Sequence, residues 1–139
     1  MLNDIGWDYD FDESSAIFRF GVACEAVDLA VTVAVDRGLE RIHVYAATDH
    51  NVPVAHRGSI AEFTTRANFG LQGGKFELDM RDGELRGCGM YVSSDQDSSI
   101  RLAKFLHEVL NLVERYYPGV TDVMAGRATP EEAIEAIEG

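Results

Sequence analysis

An α+β fold, with one antiparallel sheet of about five strands packed by helices, is predicted by the sequence. Three runs rich in β-branched and aromatic residues follow one another over residues 16–48, separated only by turns. A hairpin pattern surrounds Asp82-Gly83, and the stretches 54–69 and 100–117 have the apolar spacing of helices. Because short connections join antiparallel neighbours, the predicted order is β-β-β-α-β-β-α plus a short C-terminal helix, in a single domain over residues 1–139.

The first three predicted strands are "AIFRFGVAC", "DLAVTVAV" and "ERIHVYAAT", with a turn at Asp36-Arg37-Gly38. Pro53 suits the first turn of a helix, because its missing N–H needs no partner there. This helix is predicted to run from about Val54 to Phe69, and Gly70 is a suitable stop. Its buried stripe is predicted to be Ile60, Phe63, Ala67 and Leu71.

The stretch "KFELDMRDGELRGCGMYV" is predicted to form a β-hairpin closed by a two-residue type I′ turn at Asp82-Gly83. In that register Arg81 faces Glu84 and Asp79 faces Arg86, which gives two pairs of opposite charge on one side of the hairpin. The apolar side is predicted to carry Phe76, Leu78, Met80 and Leu85.

A long helix is predicted in "SSDQDSSIRLAKFLHEVLNLVERYYPG", capped by Asp97 or Ser98 and ended by Pro118-Gly119. It carries a broad apolar stripe that includes Leu106, Val109, Leu110, Val113 and Tyr116.

Residues 129–139 predict a short, acidic C-terminal helix. Thr129 is its N-cap, Pro130 is its first helical residue, and Glu132 closes a capping box. Its apolar stripe, Ile134 and Ile137, is narrow, so the helix needs the rest of the domain for stability.

The leading segment 1–15 is acidic, and within it Trp7, Tyr9 and Phe11 alternate with aspartates at strand spacing. This pattern predicts either an edge strand or an extended arm lying on the body of the domain. Three aromatic side chains on a short strand need a surface to bury them. They either cover the protein's own core or bind a second protein, and we predict Trp7, Tyr9 and Phe11 as partner-binding residues.

Composition and charge restrict the function classes. The net charge of −12 repels phosphate backbones, which argues against nucleic acids and anionic membranes as partners. The longest apolar runs are far shorter than a membrane span, and the N-terminus lacks the pattern of a secretory signal. Cys24 and Cys88 are far apart and give no disulfide framework or zinc spacing, which favours two reduced thiols in a cytoplasmic protein.

No motif predicts catalysis, a cofactor or a metal. "GLQGGK" follows a helix and continues into Phe76, whereas a phosphate loop needs Ser or Thr after the lysine and a helix beyond it. "DYDFDESS" fails the calcium-loop pattern at its glycine and final glutamate positions. Asp49, His50 and His56 match no metal-ligand spacing. Glu77, Asp79 and Glu84 resemble an acid/base set, but two of them, Asp79 and Glu84, have arginines opposite them, which favour the ionised form.

The sequence resembles the YbjN family of small bacterial proteins. The residues that carry this resemblance are "ERIHVYA" followed by "VP", "NFGLQGGKFELDMRDGELR", "YYPGVTDVMAG" and "TPEEAIEAIE", from about Asp28 to the end. The resemblance implies the order α-β-β-β-α-β-β-α, similar to type III secretion chaperones, which are dimers that hold extended segments of other proteins. Leu2 to Ile5 is the candidate remnant of the first helix. The family's label is a sensory transduction regulator, and it implies no catalytic residue.

These observations predict a non-enzymatic protein-binding module in the bacterial cytoplasm, chaperone-like or regulatory, with an unidentified protein partner and with a homodimer left open. The alternative is a small-molecule sensor. Gly87 and Gly89 lie on the apolar side of the hairpin, where they leave room for close approach. We expect a helix to pack there, and the alternative function needs a pocket at the same place.

Overall fold

The fold was analysed in a computed structural model that describes residues 8–11, 15–36, 38, 40–92 and 99–139. The strands are β1 (Asp8–Phe11), β2 (Ser15–Ala23), β3 (Asp28–Asp36), β4 (Arg41–Thr48), β5 (Lys75–Leu78) and β6 (Leu85–Val92). The helices are α1 (Arg57–Asn68), preceded by a 3₁₀ turn at Val54–His56, then α2 (Ser99–Met124) and α3 (Pro130–Glu138).

The six strands form one antiparallel sheet in the order β1-β2-β3-β4-β6-β5. The predicted α+β class and the predicted order of five strands and three helices are confirmed. The sixth strand is β1, so residues 8–11 of the leading segment form the edge strand that the alternating pattern allowed. Residues 1–7, which include the candidate first helix at Leu2 to Ile5, lie outside the described part, as do the predicted caps Asp97 and Ser98.

The core lies between the sheet and the helices. Helix α2 packs against β4 and β6, helix α1 packs against β5, and α3 packs against both other helices. Three of the four residues predicted for the buried stripe of α1 are fully buried, namely Ile60, Phe63 and Ala67. Leu71 lies beyond the end of the helix and is half-buried.

Gly87 and Gly89 allow α2 to approach strand β6 closely, as the sequence predicts. A Cβ atom on Gly87 would lie 2.4 Å from Cγ2 of Val113, and one on Gly89 would lie 2.8 Å from Cζ of Phe105. Both distances are shorter than van der Waals contact, so any side chain at either position would push the helix away.

The register of the hairpin differs from the prediction. Leu78 pairs with Leu85 and Glu77 pairs with Arg86, so the strands are shifted by two residues and joined by a longer turn. The N–H of Gly83 donates to the Asp79 carbonyl (2.7 Å), which makes a wider turn than type I′. Since the shift is an even number, Phe76 and Leu85 keep the buried side that was predicted for them.

Two further consequences of the register correct the sequence analysis. Met80 was predicted on the apolar side, but it lies in the turn with 53% of its surface exposed. The charge pairs also differ from the prediction, because Arg86 binds Glu77 (2.8 Å) across the strands and Arg81 binds Asp79 (2.9 Å) within the turn.

The turn takes its shape from a contact with the chain after β4. The N–H of Val52 donates to the Gly83 carbonyl (2.7 Å), and Nε of Arg57 donates to the Val52 carbonyl (2.9 Å). The same guanidinium donates to the carbonyl of Asp82 (3.0 Å). A Cβ on Gly83, which has φ +85°, would lie 2.1 Å from the Val52 carbonyl oxygen. The glycine is therefore required by this approach and not by a type I′ turn.

Helix α2 continues past Pro118, where it was predicted to end. The last turns bury Val120 and Val123, and Gly119 lies against Phe63 and Ile137, where its missing Cβ would be 2.7 and 2.8 Å from their carbons. This packing outweighs the hydrogen bond lost at proline. The helix ends instead at Met124, and Gly126, which has φ +76°, terminates it two residues later.

Helix α3 begins as predicted. The Thr129 hydroxyl accepts from the N–H of Glu132 (3.1 Å), and the Glu132 carboxylate accepts from the N–H of Thr129 (2.9 Å), which completes the capping box. Tyr116, buried in the core, donates to a Glu138 carboxylate oxygen (2.6 Å) and ties α3 to α2.

Strand β5 is the second edge of the sheet, and the side chain of Asn68 pairs with it. Its Oδ1 accepts from the N–H of Phe76 (2.7 Å), and its Nδ2 donates to the carbonyl of Phe76 (3.0 Å). One amide side chain thus satisfies both backbone groups that an edge residue would leave open.

Replacing Asn68 with alanine is expected to lower the free energy of unfolding by about 1–3 kcal/mol, because both backbone groups of Phe76 lose their partner. Chemical denaturation measures the change. Asn111→Ala is the matched control, since Asn111 is exposed and hydrogen-bonds only to His107 among the contacts described. It should shift stability by no more than about 0.5 kcal/mol. Equal effects of the two substitutions would contradict the edge-strand role of Asn68.

Pro118→Ala is expected to raise the free energy of unfolding by about 1–2 kcal/mol, because alanine restores the backbone hydrogen bond that proline cannot make inside a helix. Part of this gain is offset, because the unfolded chain has more conformational entropy with alanine than with proline. Pro130→Ala is the control, because proline at the first helical position loses no hydrogen bond. It should be neutral or destabilising. A destabilised Pro118→Ala protein would show that the helix does not gain from continuity at this position.

Candidate functional site

An apolar groove lies between the β2–β3 hairpin and the start of helix α2. Its volume is about 210 Å³. The described residues that line it are all apolar: Phe18, Phe20, Val33, Val35, Leu102 and Leu106. The four strand residues lie at alternate positions, which places them on the helix-covered face of the sheet. Leu102 and Leu106 are four residues apart and lie on the same side of α2.

The groove exists because α2 does not cover the sheet evenly. The two glycines of β6 draw the helix towards β4 and β6, so the far ends of β2 and β3 extend past its first turns. Phe20, Val33 and Leu106 are buried and form the floor of the groove. Phe18, Val35 and Leu102 are only half-buried and form its rim. An apolar surface is therefore partly open to solvent at one end of the core.

The edge strand β1 borders the groove. Tyr9 pairs with Phe18 and Phe11 pairs with Ala16 in the backbone register. The unpaired backbone groups of an edge strand are a template for another strand. The groove and this edge together form one continuous candidate site for binding an extended or amphipathic segment.

A sequence profile of one protein family matches residues 1–122, most of the chain. The family is YbjN, described as "Putative bacterial sensory transduction regulator". The chain belongs to the YbjN family. No curated protein sequence matches the chain.

The range of the family match differs from the resemblance found in the sequence. The match begins at residue 1, so it includes the leading segment and β1, whereas the resemblance was placed from about Asp28 onward. The match ends before "TPEEAIEAIE", the sequence of α3. In this YbjN protein the groove and its bordering strand therefore fall within the matched region.

The predicted partner-binding residues remain a prediction. The structure places Tyr9 and Phe11 in β1 by their backbone, and their side chains are not among those described. Trp7 lies outside the described residues. The sequence analysis missed the groove itself. The signal in the sequence was the alternation of apolar residues in "AIFRF" and "VTVAV", which gives both strands an apolar face. Which part of this face α2 leaves uncovered depends on how the helix packs, and the sequence does not show that.

Gly87 and Gly89 lie under helix α2. Val113 and Phe105 fill the space directly over these glycines, as the short distances to their absent Cβ atoms show. The expectation of a closely packed helix is therefore confirmed. A cavity of about 310 Å³ lies next to them, between α2 and the loop that contains Gly73 and Gly74, so the alternative, a small-molecule sensor, stays a prediction.

Two carboxylates of the hairpin, Glu77 and Asp79, have lowered pKa values. Burial raises the pKa of Glu77, but hydrogen bonds from Arg86 and Lys75 outweigh it, so the pKa is lowered overall. Hydrogen bonds from Arg81 lower the pKa of Asp79 to about 2. For Asp79 this agrees with the sequence analysis, although its arginine is Arg81 and not Arg86. A carboxylate with a lowered pKa is a poor proton donor at neutral pH.

The two cysteines are free thiols, and neither is activated. Burial raises the pKa of Cys88 to about 11. Burial, followed by the nearby Glu114 carboxylate, also raises the pKa of Cys24. Reactive cysteines have lowered pKa values, so these two have the properties of structural thiols.

The described ranges contain neither a cluster of metal-binding side chains nor a helix suited to cross a membrane. Within residues 15–36, 40–92 and 99–139, no three His, Cys, Asp or Glu side chains lie together as a metal site requires. None of the described helices is both long enough and apolar enough to cross a lipid bilayer.

Proposed function

We propose that this YbjN protein is a non-enzymatic protein-binding module, regulatory or chaperone-like, that captures an apolar segment of another protein in the groove beside β1. The observation that supports this most directly is the partly open, wholly apolar lining of the groove next to a sheet edge. Exposed apolar clefts in soluble proteins are typical of interaction sites.

The size of the groove favours a peptide over a small molecule. Pockets for drug-sized ligands usually measure about 300–1,000 Å³, and this groove is smaller. It suits one or two apolar side chains of a longer segment whose backbone lies along the surface. Burying one Leu or Phe side chain contributes about 1.5–3 kcal/mol, so several contacts are needed for a stable complex.

The edge strand supplies those further contacts. A bound segment that pairs with β1 gains backbone hydrogen bonds, and its alternate side chains reach the groove. Trp7, Tyr9 and Phe11 are the proposed aromatic anchors, since aromatic side chains dominate many protein interfaces. The net charge of −12 favours a basic or neutral partner. We place this function in the bacterial cytoplasm.

The first test is affinity capture of the tagged chain from its host lysate, read by mass spectrometry at low and moderate salt. We expect one dominant partner in stoichiometric amount. Leu102→Glu puts a charge on the rim of the groove and should weaken capture of that partner at least tenfold. Trp7→Ala/Phe11→Ala tests the proposed anchors in the same assay.

Leu112→Glu is the matched control for the groove variant. Leu112 is a half-buried leucine of the same helix, outside the groove, and its substitution changes the net charge equally. Thermal melting shows that both variants are folded before they are compared. If Leu112→Glu weakens capture as much as Leu102→Glu does, the groove is not the binding site. An empty capture at both salt concentrations argues against a protein-binding function.

A further inference from the structure

The side of the sheet away from the helices is a second uncovered surface, and it is independent of the groove. We call it the open face. In the described strands it consists of every second residue, in rows set by the register, such as Ile17, Ala34, His43 and Met90. All described contacts between helices and strands are made on the opposite face, where the buried core residues lie.

One half of the open face, over β2 and β3, is hollow. Gly21, Ala30 and Thr32 have small side chains, and together with their neighbours they line a depression of about 380 Å³. Ala30 is exposed at its centre. The charged residues that line this hollow are Asp28, Asp49 and Arg19.

The other half of the open face, over β4 and β6, is a ridge. His43 and Tyr45 stack with their ring centroids 6.2 Å apart, and the Arg86 guanidinium lies 4.4 Å above the Tyr45 ring. Met90 and Val92 continue the ridge along β6, with 47% and 62% of their surfaces exposed. Large apolar side chains at such exposure, beside stacked aromatic and arginine groups, have the composition of an interface.

Charge on the open face is nearly balanced, although the chain carries −12. The four basic residues at open-face positions are Arg19, Arg41, Lys75 and Arg86. Among the residues with described side chains, the acidic ones on this face are Asp28, Asp36 and Glu77, and Asp49 borders the hollow. The described part of this face is therefore close to neutral, so two copies can meet there with little net repulsion.

We propose that the open face is the interface of a homodimer in which two sheets pack face to face. A two-fold axis parallel to the strands, above the seam between β3 and β4, places β4 and β6 of each copy over β3 and β2 of the other. By the strand registers Tyr45 then lies opposite Thr32, and Arg86 lies opposite Gly21, so this end of the ridge enters the hollow. Such an interface is isologous, because each copy offers both complementary halves. Arg86 of one copy also comes near Asp28 in the hollow of the other.

The available area agrees with a stable dimer. Strands β2, β3, β4 and β6 have eight or nine residues each. Four such strands, spaced by about 4.8 Å and about 28 Å long, cover about 540 Å², and the two four-residue edge strands raise this to about 660 Å². Stable interfaces bury about 600–1,000 Å² on each partner.

Light scattering after gel filtration, from about 1 µM to about 500 µM protein, tests the dimer. We expect a dimer for the unaltered chain. Ala30→Glu and Ala30→Tyr both fill the hollow, the second without a change in charge, and each should raise the dimer dissociation constant at least tenfold. Ala30 is exposed, so both variants should fold, which circular dichroism checks.

Ala136→Glu is the control, because it adds the same charge at an exposed site on α3. It should leave the dissociation constant unchanged. The proposal is overturned if the chain stays monomeric throughout the concentration range, if both Ala30 variants dimerise normally, or if Ala136→Glu weakens the dimer as much as Ala30→Glu does. Dissociation by Leu102→Glu alone would place the interface in the groove instead, and would likewise overturn it. Partner capture by the groove is a separate measurement and can succeed or fail independently.

Discussion

The close contact between helix α2 and strand β6 is the constraint on which the rest of the structure depends. Gly87 and Gly89 have no side chains, so Val113 and Phe105 rest against the backbone of the strand. Val113 is fully buried as a result, and the helix is held over β4 and β6. A helix fixed there covers β2 and β3 only in part, and it leaves Phe18 and Val35 half-buried. The open groove follows from this one contact, because the apolar alternation of those strands continues beyond the part of the sheet that the helix covers.

Polar contacts cover the β5 edge of the sheet and the hairpin turn beside it, which the apolar core does not reach. Asn68 satisfies the edge of β5 through the backbone of Phe76. Arg57 and the Gly83–Val52 contact hold the hairpin turn against the chain that follows β4. These contacts protect one edge of the sheet from pairing with other chains. The opposite edge, β1, has no described partner on its outer side, and it is the edge that borders the groove.

The two proposed interaction surfaces lie on opposite faces of the sheet and need different partners. The groove is concave, apolar and small, which suits a segment of another chain. The open face is broad and nearly neutral, with a ridge and a hollow that fit a second copy of itself. A dimer formed through the open face leaves both grooves accessible, one on each outer side. A partner with two binding segments would then bind more tightly than either segment alone.

The sequence by itself determined the fold class, the order of the elements, the buried side of the hairpin at Phe76 and Leu85, and the start of α3. These features depend on local patterns: period-two alternation in the strands, period 3.6 in the helices, and the capping box at Thr129. The sequence also predicted that a helix packs closely against Gly87 and Gly89. Such patterns act over a few residues, so they can be read without knowing which elements meet.

The tertiary structure alone decided the hairpin register, the length of α2 and the position of the groove. Asp82-Gly83 has the local signature of a two-residue turn, but Gly83 must approach Val52, and this contact moves the register by two residues. Pro118 has the local signature of a helix end, but the burial of Val120 and Val123 outweighs one lost hydrogen bond. The groove depends on where α2 crosses the sheet. In each case a contact between residues distant in sequence contributes more free energy than the local preference, and no local pattern records it.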